Sequence, residues 1–166
     1  MNATSPAVQE VAAKLGVSPV WLDNLIYFES GWNPQARNVK SGARGLIQFM
    51  PATARSLGYA GADALVAEHD TAESQLRGPV LTYLTAQKPF PTEQSFYLSV
   101  FYPKAKFWPL STVFSSAVRA QNPGIFSVAD YYFRVKFWRS RKWIALALAA
   151  ALAGSAAYLT FSARGA

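Results

Sequence analysis

Cysteine is absent from the 166 residues, so no disulfide and no thiolate metal site is available. One histidine, His69, excludes a His-based metal cluster; at a loop or helix start it reads as a surface or capping residue, not a base. No metal and no cofactor is expected. Acids are scarce, nine Asp and Glu against 16 Lys and Arg, giving a net charge of +7 and a pI of about 9.8. That balance favours an anionic partner: acidic lipid, nucleic acid or an anionic wall polymer. The N-terminus lacks the basic start and apolar core of a secretory signal. The length fits one small domain with an appendage.

Two helices open the chain. Ser5-Pro6 starts the first and Gly16 ends it, with Val8, Val11, Ala12 and Leu15 on one stripe. Ser18 is the expected N-cap of the second and Pro19 its first-turn proline. Leu22, Leu25 and Ile26 make its apolar stripe, and Glu29 continues that stripe at i+7, i+4 and i+3. Gly31 is the expected stop. A carboxyl there is desolvated and near the negative end of a helix dipole, and both effects raise its pKa. A carboxylic acid still protonated near neutrality is what a general acid requires. Taken on the helix alone, Glu29 reads more readily as a boundary residue reaching water or an arginine than as a catalytic group.

The stretch after it is more specific. Glu29-Ser30-Gly31-Trp32-Asn33-Pro34, Ala36, Asn38, Ser41-Gly42-Ala43, Gly45-Leu46-Ile47-Gln48-Phe49-Met50-Pro51 and Thr53-Ala54 resemble the SLT-type lytic transglycosylases in order and spacing. Tyr97-Leu98-Ser99-Val100-Phe101-Tyr102-Pro103 resembles the phage-associated branch; the common pattern there is Ala-Tyr-Asn, and Pro103 departs from it. The resemblance implies a mainly α, lysozyme-like transglycosylase domain that cleaves the MurNAc–GlcNAc β-1,4 bond of peptidoglycan and closes a 1,6-anhydroMurNAc end. It implies Glu29 as the catalytic acid, with Ser41 bonded to its carboxylate. Asn38, Gln48 and Tyr102 are implied as substrate-binding residues.

Between Trp32 and Gly45 turn residues without helical period predict an irregular loop, with a small hairpin allowed, as one cleft wall. Gly42 and Gly45 suit positive φ, and Arg37, Lys40 and Arg44 are expected in solvent. Pro51 opens a helix that stops at Gly58, with Ala54 and Leu57 inward. Gly61 to Glu68 reads as a short helix. Asp70 or Thr71 caps the next, which Gly78-Pro79 kinks. Thr92 opens a helix to about Tyr102. Lys104 to Asn122 offers one short helix near Thr112 to Val118, before a turn at Asn122-Pro123-Gly124. No other acid shares Glu29's setting, although hydrolytic glycosidases need a carboxylate pair.

Ser127 and Asp130 form an S-x-x-D helix start. From Trp143 to Ala163 no charge occurs, roughly 20 residues and long enough for a bilayer core. The expected division is residues 1–126 as the enzyme domain, 127–142 as a basic, aromatic juxtamembrane helix, and 143–163 as a transmembrane helix. Trp138, Trp143 and Tyr158 are the expected interface aromatics. Arg134, Lys136, Arg139, Arg141 and Lys142 lie on one side only. An Ala-rich core helix or a buried oligomeric helix is the alternative for this stretch.

The positive-inside rule leaves the enzyme domain cytoplasmic, away from peptidoglycan. A particle with a membrane of its own resolves that conflict. The expectation is therefore a single-pass protein of a virion membrane that breaches the wall at entry, with the host inner membrane as the alternative site. Peptidoglycan, lipid and capsid or other virion proteins are the expected partners, and nucleic acid is not. Rival readings are a non-catalytic lysozyme-like structural protein of a membrane-anchored assembly, a cellular wall-remodelling enzyme, and a holin-like protein acting through its basic C-terminal helix.

Overall fold

A computed structural model describes residues 1–140. Helix α1 (Pro6–Leu15) ends at Gly16 in the left-handed region, and α2 (Pro19–Ser30) ends the same way at Gly31. Ser18 caps α2 by accepting from the Val20 N–H. The stripe Val8, Val11, Ala12 and Leu15 is buried, as are Leu22, Leu25 and Ile26. Each of the valine, leucine and isoleucine side chains contributes about 1.5–3 kcal/mol through burial.

The loop after α2 folds back through isolated antiparallel bridges, Arg37 with Arg44 and Arg44 with Phe49. Gly42 and Gly45 have φ of 72° and 78°. Arg37 and Lys40 are exposed, but Arg44 is not free in solvent: its guanidinium pairs with Asp63. Short helices follow: α3 (Pro51–Ser56), α4 (Ala62–Glu68) and α5 (Ala72–Gln75). Thr71 is the cap of α5 and accepts from the Ser74 N–H. A π-helical turn, Leu76–Val80, leads into α6 (Leu81–Ala86), with Gly78 out of helical geometry before Pro79. His69 is bridged inside the fold: its ring nitrogens meet the Tyr59 hydroxyl at 2.9 Å and the Ser74 hydroxyl at 2.7 Å.

Helix α7 (Glu93–Phe101) starts from a capping box between Thr92 and Ser95. The region Lys104 to Asn122 differs from expectation. A 3-10 turn (Pro103–Ala105) comes first, and the short helix α8 is Ser116–Gln121. Val113 instead bridges Ser127, and the Phe114 N–H donates to the Phe126 carbonyl at 2.9 Å. β-branched Thr112 and Val113 suit such extended pairing better than a helix, and Ser115 caps the helix that begins after them.

Residues 128–140 form α9, opened by Asp130 Oδ2 accepting from the Ser127 N–H at 2.9 Å. Val128, Tyr131 and Val135 belong to the same core as α1, α2 and α7, so the packed unit extends past residue 126. The side chains expected at a lipid boundary fasten this helix to the domain. Arg139 makes a two-bond pair with buried Asp23 of α2, 2.8 Å each. Asp23 also accepts from the Trp32 indole at 2.8 Å and the Ala3 N–H at 3.0 Å. Lys136 pairs with Glu93 at 2.8 Å, Arg134 donates to the Gly124 carbonyl, and Trp138 meets Phe28 edge-on. Among the described residues no helix is long and apolar enough to cross a membrane. The expected span, 143–163, lies outside the described residues, as do Arg141, Lys142, Trp143 and Tyr158.

Candidate active site

A cleft of about 540 Å³ runs between the 38–50 loop and the α7–α8 side of the molecule. Its floor includes Phe28, Glu29, Val100 and Phe101. One wall carries Asn38, Ser41, Ala43, Ile47, Gln48 and Met50, and the other carries Gln121 and Asn122. Among the described residues, Glu29 is the one ionisable residue on that lining. It stands in the last turn of α2, partly buried, where Gly31 ends the helix.

Burial pushes the Glu29 carboxyl up to about 7, against a hydrogen bond from Tyr131 that lowers it. The Tyr131 hydroxyl donates to Oε1 at 3.1 Å. Phe101 stacks on the Tyr131 ring at 4.3 Å and Phe28 meets its edge at 5.8 Å, so the hydroxyl is held in place. Burial and the Glu29 charge push the Tyr131 phenol well above its usual range, and the Tyr83 phenol up to about 12 for the same two reasons. Both phenols are therefore neutral donors at any working pH. With no cation among the described residues of the lining to hold the carboxylate, Glu29 is half protonated near neutrality.

The expected site residues divide. Glu29, Asn38, Ser41 and Gln48 share the cleft. Ser41 does not bond the carboxylate; its hydroxyl accepts from the Ala43 N–H at 3.3 Å. Asn38 Oδ1 accepts from the Lys40 and Ser41 N–H groups, which leaves its amide NH₂ for a ligand. Gln48 donates to the Gly45 carbonyl at 3.0 Å and has a φ of 52°, a conformation that costs a non-glycine residue about 1–3 kcal/mol. Gln48 lines the cleft. Tyr102 is not on the lining: it packs against Trp108 and Phe114. Pro103 ends α7 one residue later and starts the 3-10 turn.

Four residues that sequence reasoning did not single out matter here. Tyr131 is the acid's partner, and its only trace in sequence is the stripe Val128, Tyr131, Val135. Gln121 and Asn122 form the far wall, where the sequence marks only the Asn122-Pro123-Gly124 turn. Fully buried Gln75 fastens the near wall. Its carbonyl accepts from the Leu46 N–H at 2.9 Å, and its amide donates to the Pro34 and His69 carbonyls at 2.8 Å each.

This arrangement, a lone half-ionised acid in a neutral groove lined by amides, suits an uncharged, acetamido-bearing glycan. Residues 6–86 match the family model of the Transglycosylase SLT domain. No solved structure matches the chain. The SLT match supports lytic transglycosylase-type activity on peptidoglycan and a lysozyme-like fold for that region. It spans α1 to α6 and contains Glu29, Asn38, Ser41 and Gln48. The far wall and Tyr131 lie C-terminal to the SLT region, so the cleft is completed by chain outside the match.

Proposed function

We propose that the protein is a peptidoglycan lytic transglycosylase in which Glu29 is acid and then base. The neutral carboxyl protonates the glycosidic oxygen as that bond breaks and an oxocarbenium-like centre develops at the muramyl anomeric carbon. The resulting carboxylate, held by the Tyr131 hydroxyl, takes the proton of the sugar's own 6-hydroxyl. That oxygen attacks the anomeric carbon and closes the 1,6-anhydro ring. The tethered nucleophile replaces a positioned water and has a high effective concentration. Asn38, Gln48, Gln121 and Asn122 hold the acetamido groups, and Ser41 contributes a hydroxyl at the rim.

The observation that carries this reading is the single acid on the cleft, raised to about 7 by burial and bonded to Tyr131. A hydrolase needs a second carboxyl at the groove, and the lining offers none. Digestion of purified sacculi followed by mass spectrometry separates the two, because an anhydro product is one water lighter. Anhydro ends with wild type and none with Glu29→Gln are expected; hydrated reducing ends overturn the ring closure. Equal digestion by both proteins overturns Glu29.

Membrane anchoring through residues 143–163 and a place in a virion membrane, for local wall opening at entry, remain part of the proposal. The uncharged stretch in the sequence supports it. Immunoblots of purified particles before and after delipidation test it, and absence from the particle ends the virion reading.

A further inference from the structure

Helix α9 is apolar on two opposite sides, and the domain covers one of them. Val128, Tyr131 and Val135 face the core. At 3.6 residues per turn, Phe133 and Phe137 point roughly the opposite way. They are 42% and 43% exposed and stack on one another, ring centroids 6.1 Å apart and 12° from parallel. Ala129, one turn before Phe133, donates its N–H to the Leu110 carbonyl at 3.1 Å. That bond places the 110–113 segment at the foot of the phenylalanine strip. There Val113 and Phe126, on the paired segments, are 62% and 57% exposed.

A helix with apolar residues on both sides requires a second apolar neighbour. Charge and chain continuity identify it. Eight of the 16 Lys and Arg residues, but one of the nine acids, lie between Lys104 and Lys142; Lys136 and Arg139 are paired with Glu93 and Asp23, which leaves six basic residues against Asp130. A second copy of so basic a surface is repelled, whereas an anionic membrane is attracted. The sequence then runs directly from α9 into the uncharged stretch 143–163.

We propose that the Phe133–Phe137 face, with Phe126 and Val113 at its foot, lies in the headgroup–acyl boundary of an anionic membrane. The cleft, reached through Tyr131 on the opposite side of α9, then faces away from the lipid and toward a glycan strand. This rests on the membrane-anchored reading, and it moves the lipid contact from Trp138 and Arg139, which the domain occupies, to Phe133 and Phe137, one to six positions earlier. Amphipathic surfaces of this kind, Phe on one side and basic residues around them, bind at that depth.

The absence of cysteine makes the test direct. Full-length Phe133→Cys, Phe137→Cys and Val113→Cys proteins, with Ala67→Cys on the exposed side of α4 as control, receive a nitroxide label. They are reconstituted in phosphatidylglycerol–phosphatidylethanolamine vesicles and checked by flotation. Labelled proteins that digest sacculi at the wild-type rate are folded. At 133, 137 and 113, collisions with oxygen are expected to rise and collisions with a water-soluble nickel chelate to fall several-fold, while position 67 stays open to nickel. A protein that floats with those three sites still open to nickel, or shielded from both reagents as in a protein contact, overturns the face alone. A protein that digests sacculi but does not float overturns the anchoring and the face together, and leaves the enzyme reading standing.

Discussion

Tyr131 donates its hydroxyl to Glu29 at 3.1 Å, joining the last described helix to the cleft acid. The bond stabilises the carboxylate, and so it opposes the burial that keeps the carboxyl protonated. Removing the hydroxyl therefore raises the Glu29 pKa. Since the reaction begins with the neutral acid, kcat/KM falls as pH passes that pKa. Tyr131→Phe is expected to move this falling limb from near pH 7 to higher pH. It also loses a hydrogen bond to the carboxylate formed as the glycosidic bond breaks, a charge-assisted contact of about 1.5–3 kcal/mol, so kcat drops by roughly one to two powers of ten. A pH–rate profile on labelled peptidoglycan checks both. An unmoved limb leaves Tyr131 as packing only.

The same acid sets a pH-dependent stability. Glu29 is raised from 4.5 unfolded to about 7 folded, so between those values the native state binds the extra proton. Stability is therefore fully present below about pH 4.5 and is lost as pH rises through about 7, by roughly 3 kcal/mol at most. Glu29→Gln keeps the shape and removes the titration. Its denaturation midpoint is expected to match wild type near pH 4 and to exceed it near pH 8. Activity is expected to fall by about 10²–10⁴-fold. Urea titrations at the two pH values measure the first part, and halo formation on sacculi the second.

Where the chain can be cut follows from α9. A protein ending at residue 126 lacks Val128, Tyr131 and Val135 from the core, together with Arg139 for Asp23. Leaving Asp23 buried without its cation costs about 3–5 kcal/mol by itself. Residues 1–126 are expected to be unfolded or inactive, while residues 1–140 keep a cooperative melt and digest sacculi. Circular dichroism and zymography on the two proteins decide this, and activity in 1–126 would remove α9 from the site.

Much of this was readable before any coordinates. Ser18 as a cap, Ser5-Pro6 and Thr92 as helix starts, Gly16 and Gly31 as stops and the stripes of α1 and α2 are local signals, because capping and periodicity act within a few residues. Glu29, Asn38, Ser41 and Gln48 come from one continuous stretch, and the structure brings them to one cleft. What was illegible depends on contacts far apart in sequence. Arg139 reads as a membrane flank because nothing nearby marks its partner, which is Asp23, 116 positions earlier. Tyr102 looked like the cleft tyrosine by position within its motif, yet Pro103 turns the chain and Trp108 and Phe114 take its ring. A buried glutamine such as Gln75 leaves no mark in sequence, since glutamine in a polar short helix is ordinarily exposed.

Gln75 carries the last prediction. It is fully buried and satisfies one N–H and two carbonyls, from Leu46, Pro34 and His69. Leucine has a similar volume but leaves those groups unpaired, so Gln75→Leu is expected to cost about 2–5 kcal/mol. Gly45→Ala attacks the same joint from the other side. Its Cβ falls 2.5 Å from the Gln75 carbonyl oxygen, at a φ of 78°. Both changes loosen the wall that carries Asn38, Ser41 and Gln48 without touching Glu29 or Tyr131. KM is therefore expected to rise more than kcat falls, with the alkaline limb of the pH profile in place. Because the two residues share one contact, the double variant is expected to lose less stability than the sum of the singles. Thermal melts of the four proteins test the joint. An additive double variant would mean that Gly45 and Gln75 act separately on the wall.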